Sequence, residues 1–477
     1  MRALLSMLSM LSVGLHADDL WVLSDEFDNA ATLANWQDLG VLEGWETPSF
    51  ELADIDATEP GRFHVVPGPL TWFANFRGLL LFKEVTGDFV VTTRVRVLSR
   101  HNPGDPTEVP NRSFSLTGIF AHAPRAISQA APDPYTVTPV WPPGDFGSDY
   151  VPNTENYIFL SYGSAGNPGT RQFEIKATRN SDSRLYYNST GIDQSETEAW
   201  LQMVRVGDTV VCLRKHAEAG PWYVENRYPN PDHPFPEFGE TLQVGITAYT
   251  DWETANPYLG TIQSQYHFNY APPGTGMPDL ISQADYYRFR RPDPLLTEAV
   301  LQGMSVSYDP ATNLTADPPV LLSASAAAAP YLGDQANLAY DPFGEWQVAE
   351  FGPDADQPFA GPEVDVEGDG LANLLEFILG GDADESSVEL LPSAQWLADE
   401  IVFSFVPAID HGARLEVEFS ETLGLWQTVA SRPLRGGAWE VAMPGASVQL
   451  VDDEVRVTIP SASASGFVRL EGDLMEP

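Results

Sequence analysis

From about residue 20 to residue 293, apolar positions come in short runs rich in β-branched and aromatic residues, separated by clusters of Gly, Pro, Asn and Asp. That rhythm marks an all-β domain. The clearest runs are Phe89 to Val97 (FVVTTRVRV), Leu116 to Ala121, Tyr157 to Tyr162, Phe173 to Thr178 and Leu242 to Thr250 (LQVGITAYT). Two more, Trp200 to Val206 and Thr209 to Arg214, flank Gly207-Asp208, a dipeptide suited to a two-residue hairpin turn. Together they predict a large antiparallel sandwich over residues 18–293. Proline-dense stretches at His101 to Arg112, Ala123 to Pro152 and Ala271 to Pro278 are excluded from central strands, because proline has no amide hydrogen for the ladder. They are expected as surface loops.

Residues 294–340 lose this rhythm and become rich in Ala, Ser and Pro (LLSASAAAAP at 321–330), the composition of a linker with one short helix. Residues 341–385 then carry 13 acidic side chains and no Lys or Arg, a local charge that cations would relieve. Beyond them, Ile401 to Phe405, Arg414 to Phe419, Trp439 to Met443, Val455 to Ile459 and Phe467 to Leu470 read as about five strands of a small β-domain over residues 386–477.

Length and charge narrow the class. A chain of 477 residues calls for two to four domains. Residues 1–17 read as a cleaved secretory signal, with Arg2 as the positive start, Leu4 to Val13 apolar and Ala17 the small residue at the cut. No later stretch has the ~20 apolar residues that a membrane-spanning helix needs. The expectation is a secreted monomer, extracellular or at the cell surface, without membrane insertion. The net charge of −42, from 67 acidic and 25 basic residues, would repel nucleic acid and anionic membranes. Only Lys83, Lys176 and Lys215 are lysine. Cys212 is the single cysteine, so no internal disulfide forms, and its expected role is a small apolar filler on a strand.

Within the acidic stretch, DVEGDGLANLLE from Asp365 to Glu376 sets oxygen side chains at positions 1, 3, 5, 9 and 12: Asp365, Glu367, Asp369, Asn373 and Glu376. Gly370 falls at position 6, where a calcium loop turns sharply, and the carbonyl of Leu371 would serve position 7. A hard cation wants six to eight oxygens, and this spacing supplies them. Calcium is therefore the expected cofactor, held as a structural clip. Leu371, Leu374, Leu375 and Ile378 recur at helical spacing, so a helix should open inside the loop and stop at Gly380-Gly381. Glu at position 3 and Ala372 at position 8 depart from the paired pattern and favour a lone site. The bland alternative is a solvated acidic turn ahead of a packed helix.

Catalytic signatures are sparse. The chain lacks HExxH, GxSxG, a phosphate loop and a dinucleotide fingerprint, and its eight His residues are scattered. Glu363, Asp365 and Glu367 spell E-x-D-x-E, the order seen in family 16 laminarinase-type glycanases, where alternation on one strand aligns the carboxylates. Here the triplet follows Pro362 and overlaps the calcium loop. Aromatic residues near loops are better candidates, since sugar C–H faces stack on indole rings. Trp72, Trp141 and Trp252 are the candidate ligand-binding aromatics, with Arg77 as a candidate for an anionic sugar. For each tryptophan, packing within the protein is the competing and leading role, and for Arg77 it is pairing with a surface carboxylate; Trp200 is expected in the core, and Trp222 is open.

Ser24 to Arg290 resembles the concanavalin A-like lectin/glucanase superfamily, in particular its DUF1349-like or laminin G-like members. The residues that carry this are DEFDN and NW (Asp25 to Trp36), TGDFVVTTRV (Thr86 to Val95), WLQMVRVGDTVV (Trp200 to Val211), LQVGITAYT and DYYRF (Asp285 to Phe289). The resemblance implies a jelly roll, often associated with glycans. Trp346 to Leu470 is similar to a C-terminal module of exported proteins from Verrucomicrobia and related bacteria, through DVEGDGLANLLEF, LEVEFSETLGLW (Leu415 to Trp426) and GFVRLEG (Gly466 to Gly472). There, a dockerin-like calcium segment (here 341–385) precedes a small β-domain. The expectation is thus a non-catalytic protein that binds a polysaccharide or cell-surface glycan. A polysaccharide-degrading enzyme, hydrolase or lyase, on the same scaffold and a structural surface protein are the alternatives.

Overall fold

The computed structural model describes residues 19–43, 49–73, 78–105, 107–124, 155–164, 166, 169–189, 192–230, 235–250, 278–309, 314–315, 319–328, 332–339, 341–383, 385–397, 399–409, 412–433, 438–451, 453–460 and 466–474. Leu23–Leu338 form one compact unit and Ala339–Pro477 fall in another.

The first unit is an antiparallel sandwich of two seven-stranded sheets. Its strands are β1 (Gln37–Asp38), β2 (Phe50–Ile55), β3 (Phe63–Pro67), β4 (Leu79–Thr86), β5 (Phe89–Leu98), β6 (Leu116–His122), β7 (Tyr157–Ser164), β8 (Arg171–Arg179), β9 (Asp182–Asn188), β10 (Glu198–Val206), β11 (Thr209–Lys215), β12 (Tyr223–Tyr228), β13 (Thr241–Tyr249) and β14 (Ile281–Arg290). One sheet runs β12-β11-β10-β5-β14-β3-β2 and the other β1-β4-β13-β6-β7-β8-β9. All the strands expected from the alternating runs form, within two residues at each end. The Gly207-Asp208 hairpin forms as read: Val206 pairs with Thr209, and Gly207 takes the left-handed φ of 56° that suits glycine.

Between the sheets lies an apolar layer of Val91, Val95, Ile119, Leu160, Leu201, Met203 and Ile246, each under 1 % exposed. Hydrogen bonds fasten the layers, Thr117 Oγ1 to Ser282 Oγ at 2.5 Å and Tyr287 Oη to the Gly245 carbonyl at 2.7 Å. Cys212 is buried in β11 as expected of an apolar filler, and burial pushes its thiol up, away from the reactive thiolate. A register shift in β14 between Ala284 and Tyr287 separates Asp285 and Tyr286 from the regular ladder.

Residues 294–338 do not behave as a linker. Leu296, Leu301, Leu322, Leu332 and Ala336 join Val90, Trp200, Val204, Val211, Leu213, Trp222 and Tyr286 in one buried cluster on the first sheet. The segment holds short helices Glu298–Gln302 and Ala324–Ala328 and a small ladder of β15 (Tyr308–Asp309) with β16 (Leu314–Thr315). The physical reason is that Trp200, Val204 and Leu213 make the outer face of that sheet apolar as well as the inner one, and leaving it wet costs about 25 cal/mol per Å². Trp200 and Trp222 are both core residues, 7 % and 4 % exposed.

The second unit has two four-stranded sheets. β17 (Ser393–Trp396), β18 (Glu400–Phe405), β22 (Ser447–Val451) and β23 (Glu454–Pro460) pair in the order β17-β18-β23-β22. β19 (Arg414–Ser420), β20 (Gln427–Arg432), β21 (Glu440–Val441) and β24 (Phe467–Asp473) pair as β21-β20-β19-β24. Two helices, Pro342–Phe351 and Asn373–Leu379, share their core: Phe343, Trp346, Leu371, Leu374, Phe377 and Ile378 cluster with Ile401, Phe403, Leu415, Val417, Val457 and Leu470. The acidic segment 341–385 and the β-domain 386–477 are therefore one packed body, not two successive ones. Gly472 of β24 makes room for the helix, since a Cβ there would lie 2.7 Å from Ile378 Cδ1.

Candidate functional site

In the second unit, the loop expected to hold calcium turns around Asp365. Asp365 Oδ1 accepts from the amides of Gly368 (2.7 Å) and Asp369 (3.1 Å), and its Oδ2 from Gly370 (2.9 Å). Gly368 and Gly370 have φ of 77° and 101°, so both take the left-handed turn that glycine permits. Carboxylate oxygens of Asp365, Glu367 and Asp369 all lie within 4.8 Å of one another. The helix begins at Asn373 inside the loop and ends at Gly380, φ 81°, as the apolar spacing predicts. No strand forms at Glu363, Asp365 and Glu367, so the face alignment that a glycanase triplet needs is missing.

The donor set fits a cation. Both oxygens of Glu367, both of Glu376 and Oδ1 of Asn373 are buried with no hydrogen-bond partner. Buried carboxylate oxygens without partners cost several kcal/mol as a rule. The Asn373 amide is held by Nδ2 donating to the Phe359 and Gly361 carbonyls, which leaves Oδ1 as its unused end. Burial, then the neighbouring Glu367 and Asp369, push the Glu376 carboxyl up to about 8. Glu367 occupies position 3 with a longer side chain than Asp, and that length brings it to Glu376. Asp369 has donors of its own in the amides of Leu371 (2.9 Å) and Ser387 (2.5 Å). The Leu371 carbonyl and these five side chains could hold calcium; the ion would supply the positive charge that no Lys or Arg provides between residues 341 and 385.

A second constellation lies in the sandwich, on the face of the β4–β13–β6–β7–β8 sheet turned away from the first sheet. Tyr249 Oη donates to Glu174 Oε1 at 2.9 Å, and Lys176 Nζ lies 3.5 Å from the same oxygen. Lys176 donates to the Trp72 carbonyl at 2.6 Å and sits over the rings of Phe159 and Tyr249. Two strands away, His122 Nε2 is 3.0 Å from Glu155 Oε2 and its Nδ1 2.7 Å from Gln243 Oε1. None of these side chains is more than 3 % exposed. Burial pushes the Glu174 carboxyl up and the Lys176 ammonium down, each against the attraction of the other. Burial also opposes charge on His122, but the hydrogen bond and charge of Glu155 outweigh it and leave the imidazole raised. The sequence signal was the alternation Gln172, Glu174, Lys176, Thr178 in β8, which reads as a solvated face and is in fact a buried one.

Trp72 belongs to that layer and offers no face to a ligand. It is fully buried, its ring 4.3 Å from Phe120 and 5.3 Å from Tyr157, with Nε1 donating to Thr247 Oγ1 at 3.0 Å. A side chain on Gly78 would collide with its indole, so the two positions are fitted to each other. Trp72 itself is packed inside, because a Trp with a partner for its N–H gains more from burial than from exposure. Arg77, Trp141 and Trp252 lie outside the described residues. His64 is buried beside Gln283, its Nδ1 3.2 Å from the Gln283 amide nitrogen.

No family model matches the chain, and no curated protein matches it. Among solved structures, it is similar to a xylan β-1,4-xylosidase from Bacillus halodurans C-125, at 11% identity and a TM-score of 0.32, over 56% of this chain and 39% of that one. It is similar also to the carbohydrate binding module CBM66 from Bacillus subtilis, at 8% identity and a TM-score of 0.21, over 48% and 92% of the two chains. The exoplasmic/lumenal domain of VIP36, in its Ca2+/Man3GlcNAc-bound form, gives 8% identity and a TM-score of 0.22 over 61% and 88%. The chain thus spans well under half of the xylosidase. At these values the likenesses carry no argument about ligand or activity.

Proposed function

We propose that the protein is secreted, that its sandwich binds a polysaccharide or cell-surface glycan without cleaving it, and that calcium holds its C-terminal unit as a structural clip. The observation that supports the glycan reading is at the rim of one sheet face, where an exposed aromatic, Tyr187, stands beside a buried layer of Phe120, Phe159, Tyr249, Glu174, Lys176, His122 and Gln243 that fixes it from below. Aromatic rings beside a few fixed polar groups are what sugar recognition uses: the rings take C–H faces and the polar groups take hydroxyls. Tyr187, 51 % exposed and paired with Glu174 across β8 and β9, marks the open rim of that face. Among the described residues, no helix is long and apolar enough to cross a membrane, which accords with export of the whole chain. Screening immobilised glycans with the full chain tests this: retention on one class supports it, and no binding to any overturns it.

One observation favours the enzyme alternative. Glu174 is a carboxyl group raised by burial beside a phenol and an ammonium, the setting of a general acid. Release of shortened or unsaturated sugars in the same screen, lost in Glu174→Gln, would replace binding by cleavage.

A further inference from the structure

We propose that calcium binding and the folding of the whole C-terminal unit are a single equilibrium, so that without calcium the strands from β18 to β24 lose their shared core along with the loop. This rests on the calcium reading above and extends it from the loop to the 341–474 unit.

Three observations carry it. First, Glu376 and Asn373 are ligands and core residues at once. Both are fully buried, and on the same two turns of helix Leu374, Phe377 and Ile378 pack into the cluster that contains Leu415, Val417, Val457 and Leu470. The helix therefore cannot seat its apolar face without also driving both Glu376 oxygens out of water. Second, those oxygens and both of Glu367 make no hydrogen bond of ordinary geometry, with the Ser387 hydroxyl merely near Glu376, unlike the oxygens of Asp365, which take backbone amides. The two carboxylates face each other, and no positive side chain exists between residues 341 and 385 to separate them. Third, the helix is tied to both sheets. Ala408, after β18, donates its amide to the Ile378 carbonyl at 2.8 Å, and β24 is shaped around Ile378 and Leu374 at Gly472. Ser387 binds Asp369 through its amide, joining the loop to the stretch that leads into β17.

A ligand that binds only the folded form raises the folded-to-unfolded ratio by about 100-fold at 100 times its dissociation constant. With the core and the site in one element, that factor applies to the whole unit. The apparent affinity falls correspondingly, toward the ~0.1–1 mM range of extracellular calcium modules.

Hydrogen exchange on the full chain, with calcium chloride or with EDTA, reads this directly. The expected result is that chelation lowers protection of β18, β19 and β23 amides by about 100-fold, while β5 and β10 of the sandwich keep theirs. In Glu376→Gln, protection of those strands should no longer respond to calcium, whether the variant folds or not. Binding of calcium with strand protection unchanged on chelation overturns the coupling and leaves the site intact. A Glu376→Gln protein whose strands still respond as the wild type does overturns it as well. Absence of calcium binding in parallel calorimetry overturns the site reading itself.

Discussion

Glu367 and Glu376 face each other across the turn that opens the helix Asn373–Leu379, and all four of their oxygens are buried without a hydrogen bond of ordinary geometry. Such a pair is tolerable only around a cation or with a proton held against the usual carboxylate range.

The first prediction concerns affinity. Glu376→Gln removes the ligand expected to close the shell through two oxygens. Titration calorimetry should show calcium affinity reduced by about 10- to 100-fold or lost. An unchanged dissociation constant would remove this site from consideration.

A second prediction concerns the Arg214–Glu225 pair inside the sandwich. Both side chains are fully buried, 2.5 Å apart, with Asn188 adding a donor to Glu225 at 3.1 Å. Arg214→Leu strands a buried carboxylate and should cost about 3–5 kcal/mol in urea unfolding. Arg214→Leu with Glu225→Leu together should recover much of that loss; a double variant no better than the single one would contradict the pairing.

The third prediction is a pH dependence. Burial would raise Glu198, but hydrogen bonds and charge from Arg94 and Arg96 outweigh it and hold its carboxyl below the ordinary 4.5. A carboxyl lowered by folding stabilises the fold above its unfolded value, and that stabilisation is lost as pH falls through the folded one. The melting temperature of the sandwich should therefore drop as pH falls from about 4.5 downward. Glu198→Gln should start lower and show a shallower acid slope. A parallel slope in both proteins would assign the dependence elsewhere.

The fourth follows from the burial of Trp72. Trp72→Ala should destabilise the sandwich by about 3–5 kcal/mol, as large-to-small changes in a core do. A surface tryptophan would cost little on unfolding and would show only in glycan retention.

Particular residues show what the sequence could and could not tell. The Gly207-Asp208 hairpin was legible because a glycine with a positive φ, followed by Asp, between alternating runs specifies a turn locally. The sharp turn at Gly370 was legible for the same reason, since a glycine with a positive φ sets it locally. The misread linker was not: Leu296, Leu322 and Leu332 have no period, and only the apolar outer face of β10 and β11, nearly a hundred residues earlier, explains their burial. β17, β20 and β22 were also missed; every residue of β17 is exposed, so it offers no apolar face to read. The polar layer around Glu174 escaped for the reverse reason, because alternation reports which side a residue takes and says nothing of what covers that side.

The strand order carries a further consequence for how the chain acquires its shape. β14 sits between β5 and β3, and β13 between β4 and β6, so the inner strand of each sheet arrives late in synthesis, some 125 to 190 residues after its partners β4, β5 and β6. Until then β5 and β6 present open hydrogen-bonding edges, the exposure that invites wrong pairing between chains. Folding should accordingly be slow and governed by distant contacts, and a fragment ending before Ile281 should aggregate. The same arrangement makes the completed sandwich hard to open from either sheet's middle, where each late strand is locked on both sides.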